Sequence, residues 1–283
     1  MKAVILAAGY GTRFLPVTRV VPKELLPILA RPALALVVDE LKAAGVTDLL
    51  VIGSRRKRGI EDWFDVDPEL QAVFSSEGRE DKLALAQPPA GLRVTTVRQT
   101  RMGGTGHALL LAREFAGRDP VLVAYPDDLF GPPNPCAALI AHHQRTGRSV
   151  LAAADLGEAD VSAYGVLDVS SSAGEQMLNR IVEKPAPGSE PSKLVSYGRY
   201  LYTPDFFDAL AEGYQRHQAG EYFHVPALLE LAARGRVGVE VIESPRFDTG
   251  TPLAWLEANL ALGLRDPEQG PAIRDMMKRL LVD

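Results

Sequence analysis

The first 28 positions of this 283-residue chain constrain it most. A short apolar run, Ala3–Ala8 (AVILAA), leads directly into Gly9-Tyr10-Gly11-Thr12-Arg13. The run has the length and composition of a buried strand. Two glycines one residue apart let the backbone turn tightly and bring its N–H groups up to an anion. Arg13 adds a planar, permanently charged fork suited to phosphate oxygens. An ordinary strand-to-loop turn with a surface arginine has the same sequence pattern. The glycines make neither a Walker A loop, which needs a GK[ST] ending, nor a Rossmann fingerprint, whose third glycine is absent. Pro16, Pro22 and Pro27 exclude a single helix between Leu15 and Ile28. That stiffened segment carries Lys23-Glu24. It either returns a lysine toward the glycine loop or is a surface loop with solvated charges.

Beyond this stretch, short apolar runs alternate with helix-period segments. Asp48–Gly53, Val94–Gln99, Pro120–Tyr125 and Val150–Ala154 read as strands, with helices at Arg31–Gly45, Gly106–Phe115 and Pro135–Thr146. Strands spaced by helices indicate βαβ units, hence an α/β protein with a mostly parallel mixed sheet flanked by helices. After Asp155 the texture changes. Tyr164–Val169, Asn179–Glu183 and Leu194–Tyr202 are short strands joined by Gly, Ser and Pro turns, which predicts a small antiparallel addition. Helices are expected at Asp205–Gln218, Pro226–Arg234, Pro252–Leu264 and Pro271–Leu281, and a strand at Val237–Ile242. Ile273, Met276, Met277 and Leu280 recur at helical spacing, so the last helix is expected to pack on the core.

Composition narrows the function classes. Hydrophobic residues make up 46% of the chain, enough for a sizeable core. The net charge of −5 argues against general nucleic-acid binding, while leaving room for a local basic pocket. A single cysteine, Cys136, excludes a disulfide framework or a cysteine-cluster metal site. No apolar run approaches the ~18 residues of a membrane span. The apolar run before Gly9 is too short for a signal peptide. A cytoplasmic, single-domain protein without membrane or nucleic-acid partners is expected.

Several residues invite chemistry. Asp127 and Asp128 follow the strand at Pro120–Tyr125, at the strand end where open α/β sheets bind ligands. They are either metal-binding or part of a solvated turn. Asp248 opens Asp248-Thr249-Gly250-Thr251 ahead of a helix, which makes it an N-cap candidate. Gln99, Gly103, Gly104, Gly106 and His107 lie between a strand and a helix. Gln99 offers a paired donor and acceptor for a base edge, and the glycines permit close backbone approach. His107 reads as a helix-start residue with no catalytic duty. Glu183-Lys184-Pro185 ends a strand of the antiparallel addition.

The segment GYGTRFLPVTRVVPKELLPI resembles the signature of the nucleotidyltransferases that make nucleotide sugars, in their bacterial UTP–glucose-1-phosphate uridylyltransferase branch. GIEDWFDVDPELQ, VRQTRMGGTGHALLLA, YPDD, VSAYGVLDV, IVEKP and VSYGRYLYTPDFFDAL extend the likeness, in family order, over most of the chain. The resemblance implies a Rossmann-like sheet with a nucleotide-binding part at residues 1–155, a sugar-phosphate-binding part at 156–251 and C-terminal helices at 252–283. It implies UTP and glucose 1-phosphate as substrates, Mg²⁺ held by Asp127 and Asp248 with Asp128 a neighbour, and a homo-oligomer. Ala8, Gly9, Gly11, Thr12, Gln99, Gly104 and Asp127 would then bind the nucleotide. Arg13, Lys23 and Lys184 would be catalytic. Tyr164, Gly165, Glu183, Lys184 and Glu221 would face the sugar phosphate.

Two stretches depart from that branch. Glu221-Tyr222-Phe223-His224-Val225-Pro226-Ala227 loses the usual Thr-Asp pair. Asp248-Thr249-Gly250-Thr251-Pro252 lacks the usual basic residue and is closer to the thymidylyltransferase branch. Thymidylyl transfer, or a non-catalytic nucleotide-sugar sensor, are the alternatives these changes raise.

Overall fold

The computed structural model describes residues 1–162, 164–172 and 174–281. Val282 and Asp283, at the end of the expected C-terminal part, lie outside it. The strands in chain order are β1 Lys2–Leu6, β2 Pro27–Ile28, β3 Arg31–Pro32, β4 Asp48–Gly53, β5 Arg93–Arg98, β6 Val121–Ala124 and β7 Asp128–Phe130. They continue with β8 Ser149–Asp155, β9 Gly165–Ser172, β10 Glu175–Glu183, β11 Leu194–Tyr202, β12 Val237–Val241 and β13 Arg246–Asp248.

Among the described residues nine strands form one sheet, in the order β5-β4-β1-β6-β11-β8-β12-β10-β9. The first four run parallel, with Ala3 opposite both Leu49 and Leu122. This is the mostly parallel mixed sheet expected, flanked by helices. β1 feeds two cores by strict alternation. Ala3 and Ile5 face the helix Ala33–Ala43 through Val37 and Leu41, while Val4 joins Leu109, Tyr202 and Phe206 on the other face.

The strand Leu194–Tyr202 has the expected bounds but not the expected place. It runs antiparallel between β6 and β8 in the middle of the main sheet, and only a single bridge, Val195 to Val166, ties it to the antiparallel β9–β10 pair. Its near-continuous burial is that of a central strand, not of one with a solvated face.

Other boundaries also differ. The helix expected at Gly106–Phe115 is two helices, Gly104–Leu110 and Arg113–Ala116. Residues 58–85, unassigned from sequence, hold helices at Arg58–Trp63, Pro68–Ser76 and Glu80–Leu85. The second of these starts at Asp67, whose side chain accepts from Leu70 N at 3.0 Å, with Pro68 in its first turn. Asp248 is not an N-cap: Thr251 caps the helix Pro252–Gly263, accepting from Ala254 N at 3.2 Å. The last helix, Gly270–Leu280, does not pack on the core. It touches Pro252–Gly263 and leaves Leu280 and the following Leu281 exposed.

Arg199 of β11 is fully buried. It forms a bidentate pair with Glu40, 2.8 Å through Nε and 2.7 Å through Nη2. It also donates to the carbonyls of Tyr125 and Asp128, each at 2.9 Å. Burial alone favours a neutral side chain, but the Glu40 carboxylate holds its pKa above the ordinary arginine value.

Candidate active site

Three loops meet at the carboxyl ends of β1, β5 and β6. The chain leaves β1 through Ala7, whose N–H donates to Ile52 O at 2.8 Å, and reaches Gly11 at φ +65°. Gly11 O accepts from Phe14 N at 3.0 Å and from Thr18 Oγ1 at 2.8 Å. The proline-punctuated segment folds as 3₁₀ turns at Thr12–Phe14, Val17–Arg19 and Lys23–Leu25. These turns bring Lys23 back against the glycine loop: a methyl group on Gly11 would lie 3.6 Å from Lys23 Cβ.

Lys23 Nζ donates to Asp127 Oδ2 at 2.6 Å. Burial works against both charges but each supports the other, so the lysine pKa rises and the aspartate pKa falls. The same exchange keeps both groups charged around neutral pH. Asp127 sits between β6 and β7, and β7 pairs with β13 so that Asp128 lies opposite Asp248. Thr249 N donates to Asp127 O at 2.8 Å, which fastens the two loops together. Gly250 marks their meeting point. A methyl group there would lie 2.9 Å from Asp248 Oδ1, 3.6 Å from Arg13 Nη1 and 3.7 Å from Asp127 Oδ2.

Asp128 has a different environment. It accepts from Arg246 Nε at 2.6 Å and from Gly198 N at 3.2 Å, and burial pushes its pKa up despite Arg246. Its hydrogen bonds tie β7 to β11 and β13.

A cleft of about 250 Å³ opens beside Asp127. Of the residues expected to bind nucleotide or phosphate, Ala8, Gly9, Lys23, Gln99, Gly104 and Asp127 line it. Met102, Thr105, Tyr125 and Phe223 line it too, and were not expected from sequence. Gln99 is buried, and its Nε2 reaches Gly104 O at 3.1 Å and His107 Nδ1 at 2.9 Å. His107 therefore orients the glutamine, a role its place in the sequence did not announce. Thr12 and Arg13 are exposed beside the cleft.

Glu221 lines this same cleft, apart from the other residues expected at the sugar phosphate. The cause is a stitch between distant segments. Tyr222 N donates to Gly103 O at 2.7 Å, and Gly106 N donates to Tyr222 O at 2.8 Å. Gly104, at φ +88°, has no room for a side chain, since a methyl group would stand 2.5 Å from Tyr222 O. His224 completes the stitch by hydrogen-bonding Thr105 Oγ1 through Nδ1 at 2.9 Å. Its Nε2 is buried and has no partner among the described residues.

Burial lowers the His224 pKa to about 4. The unfolded chain binds this proton near pH 6.5 and the folded chain only near 4, so stability falls as pH drops through that window. His224→Leu is expected to flatten this fall by about 2 kcal/mol, read from urea melts at pH 7 and pH 4.5.

The remaining expected residues form a second group on β9 and β10. Gly165 pairs with Glu183, and a methyl group on Gly165 would lie 3.0 Å from Glu183 Oε1. Lys184 is exposed at φ +45°, a strained setting for a non-glycine residue, and its N–H donates to Tyr164 O at 3.0 Å. These residues do not line the cleft beside Asp127.

The fold and the cleft define an α/β protein whose basic and acidic side chains meet at the strand ends of a mixed sheet. The chain belongs to the nucleotidyl transferase family, whose model matches residues 2–263. It is 36% identical over 282 residues to the UTP–glucose-1-phosphate uridylyltransferase of Staphylococcus epidermidis, covering 99% of this chain and 98% of the relative. It is also 36% identical over 285 residues to UTP–glucose-1-phosphate uridylyltransferase 2 of Staphylococcus saprophyticus, covering 99% and 97%. Among solved structures, a UTP-bound UGPase from Acinetobacter baumannii superposes with a TM-score of 0.90 at 29% identity, covering 99% of both chains. No described helix is long and apolar enough to cross a membrane.

Proposed function

We propose that this chain transfers a uridylyl group from UTP to glucose 1-phosphate. A phosphate oxygen of glucose 1-phosphate attacks the α-phosphorus of UTP, the bond from that phosphorus to the β-phosphate oxygen breaks, and pyrophosphate leaves. The observation that carries the reading is the convergence of Arg13, Lys23, Asp127 and Asp248 beside a cleft whose far wall is Gln99 and Gly104. The curated relatives named above support the choice of substrates. The whole chain acts as one domain in this reading, since β11 of the sugar-binding part lies inside the nucleotide-binding sheet.

The nucleophile is an ionised phosphate, so the chemistry rests on positioning and charge rather than on a general base. Gln99 reads the uracil edge, with Ala8, Gly9, Gly11, Thr12 and Gly104 letting the backbone approach the nucleotide. Arg13 holds the departing β- and γ-phosphates. Lys23 leaves Asp127 for the α-phosphate. Lys184 holds the sugar phosphate, while Tyr164, Gly165, Glu183 and Glu221 contact the sugar side.

Among the described residues no group of three or more His, Cys, Asp or Glu side chains forms a metal cage. Two carboxylates around Gly250 nevertheless suit Mg²⁺, which characteristically takes one or two carboxylates and completes its shell with substrate phosphates and water. Asp127 and Asp248 would hold it. Bound there, Mg²⁺ offsets the repulsion between the two phosphorylated substrates.

The test is pyrophosphate release from UTP and glucose 1-phosphate with Mg²⁺, set in a matrix with dTTP and other sugar 1-phosphates. A preference for dTTP favours thymidylyl transfer, the reading that Asp248-Thr249-Gly250-Thr251 supports. Release with no pair overturns the enzymatic reading and favours a sensor. Lys184→Ala is expected to raise the KM for glucose 1-phosphate about tenfold or more while leaving the KM for UTP near wild type, as steady-state kinetics would read. The exposed Leu253, Leu256, Leu280 and Leu281 support self-association.

A further inference from the structure

A second cavity, about 650 Å³, adjoins the nucleotide cleft and shares Gln99 and Met102 with it. We propose that it is a separate anion site, in which Arg55 and Arg56 bind the phosphate groups of a phosphorylated small molecule. This goes beyond the uridylyl-transfer reading and does not require it.

The charge pattern is the first argument. Arg55 and Arg56 stand at the carboxyl end of β4, where open α/β sheets bind ligands, and both are exposed. No carboxylate lines the cavity. Among the described residues neither arginine has an ion-pair partner, whereas Lys57 and Arg98 do. Lys57 turns inward to Glu24 at 2.7 Å, and Arg98 across the cavity is held by Glu61 at 3.0 and 2.7 Å. Two planar cations thus face a cavity with nothing to neutralise them, and guanidinium forks match phosphate oxygens.

Ser54 is the second, independent argument. It lines the same cavity, is only 5% exposed, and its Oγ has no partner among the described residues. A buried hydroxyl without a partner is costly, and a ligand oxygen would satisfy it. Tyr10, between the two glycines of the phosphate loop, forms another wall. Occupancy of this cavity therefore bears on the nucleotide cleft through Tyr10 and Gln99.

Such a phosphate has two sources, a separate effector or the tail of the substrate nucleotide. Calorimetric titration of the intact chain with inorganic tripolyphosphate at fixed ionic strength tests the shared chemistry. Two sites are expected. Arg13→Ala removes one, and the double variant R55Q/R56Q weakens the other by at least about tenfold, with its melting temperature unchanged. If R55Q/R56Q binds tripolyphosphate as wild type does, the proposal is overturned. Repeating the titration in saturating UTP separates the sources. Heat that still depends on Arg55 and Arg56 supports the separate site with an effector as its occupant, whereas its loss overturns the separate site in favour of the substrate's own phosphates. No turnover is needed, so failure here leaves the uridylyl-transfer reading standing.

Discussion

Alanine in place of Asp127 is expected to lower kcat by about 10²–10³-fold, with the fold intact. The side chain contributes a carboxylate to the space around Gly250 and the counter-charge that holds Lys23. Removing it leaves Lys23 without the carboxylate that orders it before substrate arrives. The loop itself survives, because Thr249 N and Oγ1 hold the Asp127 backbone carbonyl at 2.8 and 3.0 Å rather than its side chain. The loss should therefore fall on turnover with Mg²⁺, and urea melts should move little. Near-normal kcat in Asp127→Ala would remove Asp127 from the metal-holding pair.

Arg199→Leu is expected to cost about 3–5 kcal/mol of stability, read from urea denaturation, because it leaves Glu40 charged and without its buried partner. The same variant should lose activity at temperatures where it remains folded. Arg199 grips the carbonyls of Tyr125 and Asp128, and Asp127 lies between them. A double change, Glu40→Leu with Arg199→Leu, separates the two effects. It should recover part of the stability, since no lone charge remains, but not the activity, since the loop clamp is still gone.

How far the sequence disclosed this arrangement depended on the distance over which each residue acts. The extents of β4, β11 and the helix Pro135–Thr146 were legible residue for residue, because apolar runs and turn residues are local signals. The placement of β11 was not. Its pairing with β6 and β8 is a long-range fact that three short strands in succession disguise as a meander. The helices at Pro68–Ser76 and Glu80–Leu85 escaped because their apolar side chains Leu70, Val73 and Leu85 are exposed, leaving no clear stripe. Asp67-Pro68 was the signal that could have found one of them.

In the site, Arg13, Lys23, Gln99 and Asp127 could be singled out as charged or bidentate groups at strand ends. What orients them could not. The Tyr222 stitch behind Gly104 and Arg199 behind Asp127 act across many residues of chain, and His107 meets Gln99 only once the helix that carries it has formed. An arginine inside a strand reads as surface, and only the position of Glu40 explains its burial.

The central placement of β11 sets a limit on modular exchange between relatives. Between β8 and β11, residues 156–193 supply only β10 and β9 at one edge of the sheet, so this stretch can be replaced by an equivalent strand pair while the other seven strands keep their places. An exchange carried on to Tyr202 swaps out a middle strand together with Arg199, and with it the clamp on the Asp127 loop. In the uridylyl-transfer reading proposed above, sugar preference can thus drift by substitution of the β9–β10 edge, whereas residues 194–202 must travel with β6 and β8.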